Sequence, residues 1–166
     1  MSDVFTDLAA GNERYLRTHR RLRSGVPVRG LAVVTCMDAR IDPLRVLHLK
    51  VGDAVVLRVA GARVDETVLL HLSVARAALH VDRVLVMAHT DCAANKLTAE
   101  EVRAASEGVE IRLTGRGERN PEEALNRDLD ALLTAPALHG VRVAGAVFDV
   151  VTGRVRITRR HGDERA

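Results

Sequence analysis

The stretch Leu31-Ala-Val-Val-Thr-Cys36 is a short, almost unbroken apolar run, and it has a twin in Val84-Leu-Val-Met-Ala88. Runs of this length without polar alternation read as strands covered on both faces, the pattern of a parallel sheet. Between them, Asp42-Pro43 reads as a helix start, cap then first-turn proline, for a helix running to about Leu49. Gly52-Asp53 turns the chain into a further strand, Ala54 to Val59, and Asp65 caps a helix reaching Leu79 with Val68, Leu69, Leu72 and Ala75 on one face. Thr98-Ala-Glu-Glu101 and Asn120-Pro-Glu-Glu123 each open a helix in the manner of a capping box. Val141 to Val151, then Arg154 to Thr158 across Thr152-Gly153, reads as a closing strand and hairpin. Upstream, Val4 to His19 has helical spacing of Val4, Phe5, Leu8, Tyr15 and Leu16, interrupted by Gly11, and a basic loop with Gly25 and Pro27 follows. The fold class is α/β, a three-layer αβα domain with a mainly parallel central sheet in the order 2-1-3-4, a closing antiparallel edge strand and an N-terminal helical arm. The whole of 1–166 is one domain, with 1–29 as helix and basic arm and 30–166 as the core.

Composition agrees. A chain of 166 residues can bury roughly 70% of its unfolded surface. At 47% hydrophobic and 28% charged it is neither disordered nor fibrous. Only 2% of residues are aromatic, so the core is aliphatic. No run reaches the ~18–20 apolar residues of a membrane span, and no secretory signal is readable, so the expected address is cytoplasmic with no membrane partner. The net charge of +3 comes from arginines interspersed with acids. With so few aromatics to stack on bases, no nucleic-acid partner is expected.

Reactive side chains collect just past the first and third strands: Cys36-Met-Asp38-Ala-Arg40 and His89-Thr-Asp-Cys92. Ligands of open parallel sheets bind beyond the carboxyl ends of the strands, where strand order reverses. With strands one and three adjacent, Cys36, His89 and Cys92 converge, and two thiolates with an imidazole suit tetrahedral zinc. A lone cysteine ending a strand is usually a small buried hydrophobe, and a lone loop histidine is usually solvated. A Cys36–Cys92 disulfide is a further reading, disfavoured in a reducing compartment. The combination of three ligand types at two strand exits, with Asp38 and Arg40 beside the first thiol, favours the metal. Other cysteine chemistries lack their letters. A phosphatase loop needs arginine six residues after its cysteine, where this chain has Asp42 and Thr98, and there is no Cys-x-x-Cys pair. Thr114-Gly-Arg-Gly-Glu118 lacks the lysine and preceding strand of a phosphate loop.

Taken together, Cys36-x-Asp38-x-Arg40 and His89-x-x-Cys92 resemble the two-part signature of the β-class carbonic anhydrases, short bacterial type. The likeness extends to Asp42-Pro43, Gly52-Asp53-Ala54, Arg58-Val-Ala-Gly61 and Gly145-Ala-Val-Phe-Asp-Val-Val-Thr-Gly153, nearly the whole chain. The resemblance implies zinc (Zn2+) on Cys36, His89 and Cys92, with reversible hydration of carbon dioxide to bicarbonate and a proton by hydroxide formed at the metal. It implies Asp38 and Arg40 as the catalytic pair, Arg40 holding Asp38 off the metal, with Asp38 as fourth ligand in a closed state. It also implies a homodimer or tetramer, the helix from Val4 to His19 reaching over the partner; the alternative is a helix packed on its own sheet.

Asp91 is read either as supporting a ligand or as facing water. His48, His71 and His80 are expected on helices in structural or solvated roles, with a proton relay by one of them as the alternative; Arg58 and Arg63 are read as solvated or salt-bridged, with binding of an anion or a neighbouring subunit as the alternative. The chain departs from the family pattern at Val59, where asparagine is frequent, and at Ala93, where glycine is frequent and a positive φ would make alanine cost on the order of 1 kcal/mol. It also has no glutamine. A more apolar pocket keeps two alternatives open: hydrolysis of carbonyl sulfide or carbon disulfide on the same scaffold, or a catalytically silent zinc-binding homologue with a regulatory role. Two thiolates cancel the formal charge of zinc, so its water is less acidic than with three imidazoles, where the pKa is about 7. Turnover is therefore expected to climb as pH rises above about 7, measured as a pH–rate profile of the zinc-loaded protein; a flat profile contradicts this ligand set.

Overall fold

The computed structural model describes residues 5–98, 100–101, 104 and 120–162. Val4 and the string 114–118 lie outside the described residues. Five strands form one sheet: β1 (Leu31–Cys36), β2 (Ala54–Val59), β3 (Arg83–His89), β4 (Arg142–Phe148) and β5 (Val155–His161), in the order β2-β1-β3-β4-β5. The first four run parallel and β5 pairs antiparallel with β4, as the patterning predicts. Helices α1 (Thr6–Leu16), α2 (Pro43–Val46), α3 (Glu66–Leu79), α4 (Ala93–Lys96) and α5 (Pro121–Thr134) surround it.

Helix starts follow their cap residues. Asp42 accepts from the Arg45 amide at 3.2 Å, Asp65 from the Val68 amide at 2.9 Å, and Asn120 from the Glu122 amide at 3.0 Å. Each satisfies an amide that has no partner inside its helix. Thr98 and Glu101 exchange the reciprocal bonds of a capping box, Glu101 N–H to Thr98 Oγ1 at 3.2 Å and Thr98 N–H to Glu101 Oε2 at 2.7 Å.

Helix ends differ from expectation. α2 stops at Val46, not near Leu49, because His48 turns left-handed (φ 51°). The Leu49 amide then reaches back to the Leu44 carbonyl at 2.7 Å and the His48 amide to Arg45 at 3.1 Å, the paired bonds of a left-handed helix exit. His80 (φ 56°) likewise terminates α3 rather than lying within it. β4 ends at Phe148, short of Val151, because Asp149 takes over the turn and its side chain accepts from the Val151 and Thr152 amides at 2.8 and 3.0 Å.

Two aliphatic clusters hold the layers. On one face Ala32, Val34, Val84, Val86, Val143 and Val147 pack with Leu72 of α3 and Leu125, Leu129 and Leu132 of α5. The other cluster joins Leu85, Met87, Ala146 and Phe148 to Cys36, Ile41 and Cys92, with Val46 and Ala94 against it. Gly145 lets α5 close onto the sheet: a Cβ there would sit 2.7 Å from Leu129 Cδ1. α1 stands apart, covering 6–16 rather than 4–19, and none of its residues is buried, so the reading of it as packed on its own sheet does not hold.

Among the described residues one ion pair is interior. Arg63 and Asp128 are 8% and 5% exposed, with Nε 2.9 Å from Oδ2, and Asp128 Oδ1 also accepts from the Val64 amide at 3.1 Å. Burial pushes the Asp128 carboxyl up, against the Arg63 charge and the Val64 N–H. Removing one partner of such a pair strands the other charge. Asp128→Ala should therefore lower unfolding free energy by about 3–5 kcal/mol, measured by urea denaturation; a loss within the range of an ordinary surface substitution would show that this pair does not anchor α5.

Candidate metal centre

Cys36 is the last residue of β1 and His89 the last of β3. Parallel pairing of these strands, Val34 opposite Val86 and Thr35 opposite Met87, brings their carboxyl ends to the same level. Two residues beyond His89 the chain turns at Asp91, in left-handed conformation (φ 55°), which returns Cys92 to the same spot. The sulfurs of Cys36 and Cys92 lie 3.8 Å apart, and with the His89 ring nitrogen the three ligand atoms are all within 4.8 Å of one another. All three residues are buried. This group could hold a metal ion.

Its donors are prepared for one. His89 Nδ1 lies 2.8 Å from the Thr90 carbonyl. A carbonyl only accepts, so the proton sits on Nδ1 and the Nε2 lone pair is left over. Nε2 is buried, with no hydrogen bond of good geometry among the described residues. An orphaned imidazole nitrogen facing two sulfurs is costly in a closed core unless a cation takes its lone pair. The Cys36 sulfur accepts the Gly61 N–H at 3.3 Å. Gly61 has φ +71°, and a Cβ there would meet Asn95 Oδ1 at 2.9 Å, so the position demands glycine.

The two thiols titrate against each other. The hydrogen bond from Cys92 pulls Cys36 down to about 3 despite burial, helped by His89 and by the Asp38 and Gly61 amides. Giving that bond, together with burial, pushes Cys92 up, opposed by the Asn95 and Ala94 amides. Burial works to lower His89, but the negative charge of Cys36 nearby and the Thr90 carbonyl raise it on balance.

Asp38 stands outside the three-residue group and is taken up by Arg40. Arg40 Nε donates to Asp38 Oδ1 at 2.9 Å, Nη2 to Oδ2 at 2.7 Å, and the Arg40 amide to Oδ1 at 3.0 Å. These bonds hold the Asp38 carboxyl well below the usual carboxylate range, the side-chain bond from Arg40 foremost. Arg40 also reaches Asp91, through Nη1 to Oδ2 at 3.0 Å and Nη2 to the carbonyl at 3.1 Å. Arg58, read from sequence as solvated or salt-bridged, instead binds carbonyls: Nε to Cys36 at 3.2 Å and Nη2 to Asp38 at 2.7 Å. The strand register was the available signal, since Arg58 pairs with Thr35 beside Cys36. Arg63 is salt-bridged as read. His48, His71 and His80 lie outside the group. Ala93 opens α4 and takes no positive φ, so the expected alanine strain does not arise.

A cavity of about 420 Å³ opens beside the group, lined by His89, Asp91, Cys92, Asn95, Lys96 and Pro121.

Residues 31–131 match the family model described as carbonic anhydrase. The chain is 31% identical over 156 residues to beta-carbonic anhydrase 1 of Mycobacterium tuberculosis, covering 92% of this chain and 96% of that protein. It is 27% identical to a carbon disulfide hydrolase of an Acidianus species, covering 82% and 81%. Its fold superposes on the crystal structure of carbonic anhydrase from Streptococcus mutans with a TM-score of 0.84 and 30% identity, covering 96% of this chain and 99% of that one.

The Asp38–Arg40 geometry makes a prediction independent of any metal. In Arg40→Ala the Asp38 carboxyl should titrate closer to the unperturbed value of about 3.9, read by carboxyl-carbon NMR. Because the native value is depressed, the stability it contributes is present above that unfolded value and fades as pH falls through the folded one. An unchanged titration in the variant would assign the depression to another group.

Proposed function

The chain belongs to the β-class carbonic anhydrases, a family of lyases, and from that membership we propose that it catalyses zinc-dependent, reversible hydration of carbon dioxide to bicarbonate and a proton. The observation that carries the reading is the convergence of Cys36, His89 and Cys92 from two strand exits, with the His89 lone pair unspent. Those three residues would hold zinc and leave its fourth position open. Bound there, zinc supplies a Lewis acid that lowers the pKa of a water to make a nucleophile near neutral pH.

The other groups of the site have their own tasks. The Gly61 amide and the Thr90 carbonyl fix the Cys36 sulfur and the His89 tautomer before metal arrives. The Asp38 carboxylate is ionised throughout the working pH range. Its two oxygens offer about four acceptor sites, three of which Arg40 occupies. The remaining site can accept a hydrogen bond from a nucleophile and so orient it. Arg40 keeps that carboxylate from becoming a fourth ligand, and Arg58 holds the Cys36–Asp38 backbone in place through its carbonyls.

The substrate alternative rests on the Acidianus relative, a carbon disulfide hydrolase over most of the chain length. Identity and coverage favour the carbonic anhydrases. A homodimer is part of the reading. The arm helix leaves Leu8 and Leu16 64% and 54% exposed, an apolar surface that a second copy of the chain can cover. No described helix is long and apolar enough to cross a membrane, and we place the protein in the cytoplasm.

Stopped-flow assays on zinc-loaded protein at alkaline pH test this. Wild type should accelerate carbon dioxide hydration. Cys36→Ser should lose zinc and activity by more than the about 10–100-fold typical of residues outside a coordination shell. Asp38→Ala should depress turnover yet keep one zinc per chain. Greater acceleration of carbonyl sulfide or carbon disulfide hydrolysis would transfer the assignment to the hydrolases, and acceleration of none would leave a silent zinc protein.

A further inference from the structure

Four charged side chains form one alternating string, Lys96, Asp91, Arg40, Asp38, of which Asp91 and Lys96 line the cavity. Lys96, at the end of α4, pairs with Asp91 Oδ1. Asp91 Oδ2 and the Asp91 carbonyl accept from Arg40 at 3.0 and 3.1 Å. Arg40 gives its remaining bonds to Asp38. Four of the five guanidinium N–H donors are thereby engaged, two on each strand exit.

We infer that Asp91 is a positioning residue, which fixes the plane of Arg40 so that Arg40 keeps its grip on Asp38, with Lys96 as the counter-charge that holds Asp91 in place. This rests on Asp38 being the working carboxylate of the proposed reaction. Arg40 is half exposed, at 46% of its side chain. With Asp38 alone, Asp38 and Arg40 sit on one loop two residues apart and can swing together. Asp91 ties the guanidinium to the other loop, 51 residues away, and removes that freedom.

An exposed ion pair by itself contributes little. Two features set this one apart. The guanidinium is held by two bonds on each edge, so its orientation is specified as well as its distance. Asp91 also occupies a left-handed turn (φ 55°), which glycine or asparagine takes with equal or greater ease, so the backbone does not call for a carboxylate here. The carboxylate is accounted for by its partners on both sides, Arg40 and Lys96.

Asp91→Asn removes the charge and keeps a residue tolerant of the turn. In zinc-loaded protein, solvent exchange of the Arg40 Nε–H, followed by ¹⁵N NMR, should accelerate about fivefold, the worth of an ion pair at the upper end of the exposed range. Lys96→Met should move it in the same direction by less, and Asp91→Glu, which keeps the charge, should restore protection. Carbon dioxide hydration by Asp91→Asn should show a lower kcat at unchanged KM, as expected for a group that orients the catalytic carboxylate without touching substrate. Unchanged Arg40 exchange in Asp91→Asn overturns the inference, and unchanged exchange in Lys96→Met overturns the role of Lys96. The exchange is read whether or not the protein turns over. A wild type without hydration activity therefore removes the proposed function, whereas an active enzyme whose Arg40 signal ignores Asp91 removes only this positioning role.

Discussion

Everything in this site depends on the in-register parallel pairing of β1 with β3. Thr35 lies opposite Met87, and the Thr35 hydroxyl donates to the Met87 carbonyl at 2.9 Å, a buried bond that locks the two strands at their last shared rung. One residue further on β1 comes Cys36, and two further on β3 comes His89. A slip of the register by one residue would turn every side chain of one strand to the opposite face. Cys36 would then point away from His89, and the valines that now fill the α3–α5 face would be displaced with it. The burial of Val34 and Val86 and the meeting of thiol and imidazole are thus one constraint seen twice.

The arginines around the centre divide into three physical types. Arg63 is interior, pairs with Asp128 and joins the turn after β2 to α5. Arg58 gives its protons to backbone carbonyls, shaping a loop without adding a counter-charge to a carboxylate. Arg40 is half exposed and bridges two carboxylates. Arg40 alone of the three joins the loops that follow β1 and β3.

What was legible in the sequence was what is local. Caps at Asp42, Asp65 and Asn120 act across two or three residues, so the letters carry them. The strand runs carry the parallel sheet because burial on both faces leaves no polar alternation. The ends of elements were less legible. α2 exits through His48 and α3 through His80, left-handed residues at positions where glycine would have announced the stop. The convergence of Cys36, His89 and Cys92 was readable because residue type and strand exit coincide. The partner of Asp91 was not, because Arg40 lies 51 positions away and only the folded turn aims one at the other. Arg63 and Asp128, 65 positions apart, were hidden for the same reason. The expected strain at Ala93 was misplaced by two residues: the left-handed turn falls on Asp91, and Ala93 begins a helix.

The departures at the pocket also make sense as charge balance. Val59 packs with Val55 and Leu57 against the aliphatic cluster, so this position serves the core. Asp91 and Lys96 at the cavity continue into Arg40 and Asp38, two acids and two bases in alternating contact. Their formal charges cancel. A neutral, linear substrate such as carbon dioxide is neither steered nor repelled by such a string, since steering needs an uncompensated field. A product anion, for its part, meets cations already committed to carboxylates and would have to displace one to be retained.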